Sequence, residues 1–185
     1  MTGERQMTAA ALAGYCLEST LWRVMLDVCT SMADRAYVWI DPHHVIIDND
    51  AFCISPEARP CSEGDAIWSL GATISYLSSG HPLFGGKGKA YQDKHPKVQL
   101  PVMRKEHEAM TSIIHSCLDA DPQKRPSIAL LKKDAENGHE DAIRRESVRT
   151  EVAESTSKKQ DTSSEKVTLA EAWPEKMIDN HKKRK

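Results

Sequence analysis

At 185 residues the chain is long enough for one modest domain with a core of its own, plus a tail. Hydrophobic residues make up 39% and charged residues 28%, and a formal net charge of −2 leaves no global field to draw in nucleic acid or an anionic membrane. No run reaches the roughly 18 apolar residues a membrane span needs, and no basic region precedes an apolar stretch at the N-terminus. Neither a membrane anchor nor a secretory leader is expected, and the reading is cytoplasmic.

The first periodic segment covers residues 8–35. Leu12, Cys16, Leu21, Val24, Met25 and Val28 recur at helical steps with a jump between Gly14 and Thr20, so one long helix or two shorter ones are expected. Tyr37 to Ile40 and Val45 to Ile47 follow, β-branched and aromatic, split by Asp41-Pro42-His43-His44. Asp48-Asn49-Asp50 supplies turn chemistry before Ala51-Phe52-Cys53-Ile54, which predicts a small hairpin.

Residues 65–79 are apolar nearly all round, with Ile67, Trp68, Leu70, Ile74, Tyr76 and Leu77, so this helix belongs in the middle of the domain. Gly80 is placed to cap its C-terminus. Residues 81–101 read as loop, rich in Gly and Pro. Met110, Ile113, Ile114, Cys117 and Leu118 predict an amphipathic helix over 105–118, and Ser127 reads as the N-cap of a final short helix carrying Ile128, Leu130 and Leu131. The fold class is mainly α with a minor β element. The domain is expected over 1–133. From Asp134 the composition turns to charged and small polar residues, so 134–185 reads as a mostly disordered tail with one helix-compatible stretch at 167–178.

Three segments, in order, carry a resemblance. Ala66-Ile67-Trp68-Ser69-Leu70-Gly71 is similar to D-x-W-S-x-G, Gly80-His81-Pro82-Leu83-Phe84 to G-x-P-P-F, and the run from Cys117 to Ser127 to C-L-x-x-D-P-x-x-R-P-S. Upstream, the segment from Asp41 to Asp48 aligns with K-P-x-N-I-L-L-D, and Ser55-Pro56-Glu57 with A-P-E. Over roughly residues 20–133 the chain resembles the C-terminal, large lobe of eukaryotic-type protein kinases. The resemblance implies a central buried helix, with Trp68, Leu70 and Gly71 in its core. It also implies a buried ion pair between Glu57 and Arg125, for which a planar guanidinium suits bidentate contact with a carboxylate.

The residues that transfer phosphate do not come with it. Phosphoryl transfer needs the phosphates cradled, the metals held and the acceptor hydroxyl positioned. H-R-D would fall on Tyr37-Val38-Trp39, the loop lysine becomes Asp41, the metal-binding Asn becomes His44, and no D-F-G follows Ile54. The brace at the start of the central helix becomes Ala66, with Asp65 one position early in a capping place. Too little chain precedes residue 20 for a small lobe, and Gly85-Gly86-Lys87-Gly88-Lys89 does not match the phosphate-loop spacing.

Outside this frame, Cys16, Cys29, Cys53, Cys61 and Cys117 form no C-x-x-C pair and read as free thiols. His43 and His44 are neighbours that would point to opposite faces of a strand, which argues for a polar turn over a metal site. Arg144-Arg145-Glu146-Ser147 resembles a basophilic phosphorylation motif, making Ser147 a candidate phosphosite. Val167, Ala170, Trp173, Met177 and Ile178 share a helical face, with Trp173 the candidate partner anchor, and residues 181–185 form a basic end.

The expected function is a non-catalytic, pseudokinase-like binding or scaffold protein. It would have no cofactor and no metal, and a protein partner or self-association, but no nucleic acid and no membrane. Surface left bare by the missing segments would meet that partner. The alternatives are a serine/threonine kinase using ATP and Mg with a separately encoded small lobe, and a degraded kinase remnant of marginal stability.

Overall fold

The computed structural model describes residues 7–33, 36–49, 51–100, 102–103 and 105–161, without the side chains of 106 and 154–161. Trp173, the 167–178 stretch and the basic end lie outside the described residues. The chain divides into two units, Met1–Glu146 and Ser147–Lys185. Among the described residues the fold is mainly helical, with five α-helices and one two-stranded antiparallel sheet.

The first periodic segment is broken in two. A 3-10 turn, Ala9–Leu12, ends before Gly14, whose φ of 77° suits glycine. Helix α1 then runs Glu18–Ala33 and buries Leu21, Met25, Val28 and Met32 at three-to-four-residue steps. The hairpin pairs β1, Val45–Asp48, with β2, Ala51–Ile54, in the register Val45 to Ile54 and Asp48 to Ala51. Asn49 takes a positive φ in the turn, which Asn tolerates better than most residues. The hairpin is pinned to α1 where the Phe52 N–H donates to Asp27 Oδ2 at 3.1 Å.

The β-branched and aromatic segment 37–40 forms only a single bridge, Val38 to Pro60. Pro60 has no N–H to donate, so a ladder cannot continue through it.

Helix α2, Glu63–Ser79, is the centre. Ser62 is its N-cap: its Oγ accepts the Asp65 N–H at 3.1 Å and donates to Asp65 Oδ2 at 2.9 Å. Asp65 is thus the reciprocal partner of the cap, three residues in, not the cap itself. Gly80 closes the C-terminus in the left-handed conformation, φ 75°. Trp68 and Leu70 are buried, and Gly71 lies under α4, Glu108–Cys117, where a Cβ would fall 2.6 Å from Cys117 Cβ.

Within residues 81–100 the structure departs from a loop reading. A 3-10 turn at Leu83–Gly86 leads into helix α3, Gly88–Lys94. The buried Gln92 ties α3 to the core, accepting the Trp68 indole N–H and donating to the Leu118 carbonyl, each at 2.6 Å.

Helix α5, Ile128–Asp161, departs most from expectation. Its Ser127 cap is as expected, with the Leu130 N–H donating to Ser127 Oγ at 3.3 Å. The helix then continues through the charged stretch. Leu131, Ala135 and Ala142 are buried, and Gly138 meets the Trp22 ring. These four positions, at steps of four, three and four, make one stripe, but Ala and Gly add little to an apolar periodicity. Further along, Glu146 accepts both the Ser19 N–H, at 3.1 Å, and the Ser19 hydroxyl, at 2.6 Å, at the start of α1. A carboxylate there satisfies free amides and the positive end of the helix.

No helix among the described residues is long and apolar enough to cross a membrane.

Candidate functional site

The segment 37–43 crosses α2 and is gripped by it at one residue. The Ile40 N–H donates to Ser69 Oγ at 2.8 Å, and Thr73 Oγ1 donates to the Ile40 carbonyl at 3.2 Å. On its other edge the Trp39 N–H donates to the Arg59 carbonyl at 2.7 Å, and the Cys61 N–H to the Tyr37 carbonyl at 3.0 Å. Asp41 then turns the chain, its Oδ1 accepting the His43 N–H at 2.9 Å and its carbonyl the His44 N–H at 2.8 Å.

Between this segment and α2 lies a groove of about 470 Å³, a small-molecule volume. One wall is Trp39 to His43. The other is the face of α2 carrying Trp68, Ala72 and Tyr76, which stand at i, i+4 and i+8. The far rim comes from Pro82, Leu83 and the glycines 86 and 88.

The Trp39 and Trp68 rings lie 5.8 Å apart between centroids, tilted by 32°. The Trp68 edge is anchored by its bond to Gln92, which fixes that ring in the aromatic wall. Asp41 is the one carboxylate in the lining, which contains no Lys or Arg. Two nearby cations rest on aromatic rings: the Arg59 guanidinium is 5.8 Å from the Trp39 centroid, and Lys87 Nζ is 4.9 Å from that of Tyr91.

The lining hydroxyls of Ser69 and Thr73 are buried and bonded to backbone, so neither is poised as a nucleophile. The groove is suited to hold a ligand through aromatic faces and one negative charge.

The Glu57–Arg125 pair is absent. Glu57 is exposed, while Arg125 is buried, its Nε donating to the Asp119 carbonyl at 2.9 Å and its Nη1 to the Gly64 carbonyl at 2.7 Å. Two carbonyls take the guanidinium where a carboxylate was expected, and Nη2 is buried with no hydrogen-bond partner among the described residues. Burial pushes the Arg125 pKa down, while the carboxylates of Asp65, Asp93, Asp119 and Asp121 push it up. In place of an ion pair, Arg125 ties the start of α2 to the turn before α5.

Ser147 is exposed and is the first residue of the second unit. His43 is exposed, whereas His44 Nδ1 is buried with no hydrogen-bond partner among the described residues. Burial pushes the Cys29 and Cys117 thiols up to about 12 and Cys16 up to about 11, so these sulfurs are protonated and inert at neutral pH. The exposed large apolar side chains, among them Tyr15, Leu17 and Val102, do not line the groove.

Sequence reading missed Ser69 and Thr73, the residues that hold the groove's wall. A helical hydroxyl can be satisfied by its own helix, as Ser69 is by the Ala66 carbonyl at 2.9 Å, so residue type alone did not point to Ile40. Compared with models of protein families and with curated proteins, the chain matches none.

Proposed function

We propose that this chain is a kinase-like large lobe serving as a non-catalytic binding or scaffold module, with the groove as its ligand site. One observation carries this reading. The positions that the resemblance aligns with the catalytic loop hold Trp39 and Asp41, and both line the groove, with Trp39 against Trp68. A tryptophan cannot take a proton from a hydroxyl, and a carboxylate in the lysine's place repels a triphosphate.

The placement of α2 also supports the kinship. It is buried at the centre and braces the 37–43 segment, through Ser69 and Thr73 in place of an acid. The missing Glu57–Arg125 contact removes one support, so the kinship rests on the remaining segments.

Calorimetric titration of the full chain with ATP and magnesium, followed by an assay for released or transferred phosphate, tests the reading. Absence of magnesium-dependent saturation is the expected result. Metal-dependent binding with phosphate transfer would overturn it and favour a split kinase.

A further inference from the structure

We propose that the groove takes a small organic cation, an ammonium or guanidinium carried on an aromatic or apolar body. This rests on the reading of the groove as a binding site and adds the ligand's chemistry.

Three observations converge. The walls are aromatic, with the indoles of Trp39 and Trp68 at one end and the Tyr76 phenol two turns along α2. Electron-rich ring faces attract cations, tryptophan most strongly. The single carboxylate of the lining, Asp41, accepts one backbone N–H on Oδ1, and among the described residues no hydrogen bond engages Oδ2. Among the described residues the lining holds no Lys or Arg, and His43, two residues from Asp41, is its one basic side chain. The molecule already uses one of these rings in this way, since the Arg59 guanidinium stands over Trp39.

The dimensions set the ligand's size. Trp68 and Tyr76 are eight residues apart on α2, a rise of about 12 Å. A charged head at Asp41 and an aryl body along that wall fill a groove of about 470 Å³ without a macromolecular partner. A carboxylate or phosphate ligand would meet Asp41 with like charge, and a neutral one would leave the carboxylate without a counterion.

The test uses the full chain with nitrogen-labelled tryptophan and three probes of one shape: phenethylammonium, 2-phenylethanol and 3-phenylpropionate. The indole N–H signals of Trp39 and Trp68 report the groove. That of Trp22, held on Glu18 Oε1 at 3.2 Å and packed against α5, is the internal control.

The cation should shift Trp39 and Trp68 but not Trp22, binding about three- to thirty-fold more tightly than the alcohol. The carboxylate should bind weakest. Asp41→Asn keeps the acceptor for the His43 N–H, so the turn survives, and it should bring the cation-to-alcohol ratio close to one.

If all three probes bind alike, or Asp41→Asn leaves the ratio unchanged, the cation proposal falls while the groove stands as a binding site. If no probe of any charge shifts Trp39 or Trp68, both the cation proposal and the groove reading fall.

Discussion

Substituting Gly138 tests the largest departure from sequence expectation, because the two views differ in sign. In a charged tail that packs on nothing, Gly→Ala is neutral or favours the helix by about 1 kcal/mol. In the structure, a Cβ at position 138 would lie 2.5–2.6 Å from three carbons of the Trp22 indole. That ring is 3% exposed and is held by its N–H on Glu18, so it has little room to yield. Overpacking of this kind costs about 1–3 kcal/mol, and a rigid ring met at three atoms belongs at the upper end. Setting the propensity gain of about 1 kcal/mol against it leaves a net loss of about 1–2 kcal/mol.

Urea unfolding followed by far-ultraviolet circular dichroism measures the loss. Asn137→Ala, on the exposed side of the same turn, is the control and should change stability by no more than about 0.5 kcal/mol. In a Trp22→Ala background the clash is gone, and Gly138→Ala should become stabilising. A stabilised Gly138→Ala single variant would refute the packing of α5 on α1.

Gly71→Ala should cost about 1–3 kcal/mol in the same assay, since its Cβ would fall 2.6 Å from Cys117 Cβ between two packed helices. Arg125→Ala should cost about 2–4 kcal/mol for the two carbonyl bonds it breaks, while Glu57→Ala stays within about 0.5 kcal/mol and shows no coupling to it. A large coupling in that double-mutant cycle would restore the ion pair. Ser69→Ala removes the acceptor of the buried Ile40 N–H and should cost about 1–3 kcal/mol.

Alkaline pH should destabilise the fold through the buried thiols. The unfolded chain loses the Cys29 and Cys117 protons near the ordinary value of 9.0, and the folded chain keeps them to about 12. The native state therefore binds more protons in that window, and stability falls as pH rises through it, by up to about 1.4 kcal/mol per pH unit for each thiol. Replacing both cysteines by Ala should flatten this slope in pH-dependent urea unfolding.

What was legible in the sequence had strong local chemistry behind it. The all-round apolar pattern of α2 gave its central position, and the left-handed requirement after Ser79 gave the Gly80 cap. The turn at Asp48 and Asn49 gave the hairpin. Missed features were held by interactions with weak hydrophobic or periodic signals. The stripe on α5 is built from Ala135, Gly138 and Ala142, small residues whose value lies in letting a partner approach.

At the site, a motif match misassigned the partner of Arg125. Residue type permitted a carboxylate, but the fold brought two backbone carbonyls within reach first. The groove itself depends on Ser69 and Thr73 gripping Ile40 from 29 and 33 residues away, a pairing no local pattern encodes.

The most direct test of the central claim, a groove that binds without catalysing, is one titration series on tryptophan-labelled protein. Magnesium–ATP is added first and phenethylammonium second, with phosphate release assayed alongside. A non-catalytic groove gives no saturable magnesium-dependent shift with ATP, no phosphate release, and a saturable shift of Trp39 and Trp68 with the amine. Magnesium-dependent saturation by ATP accompanied by phosphate release would contradict it.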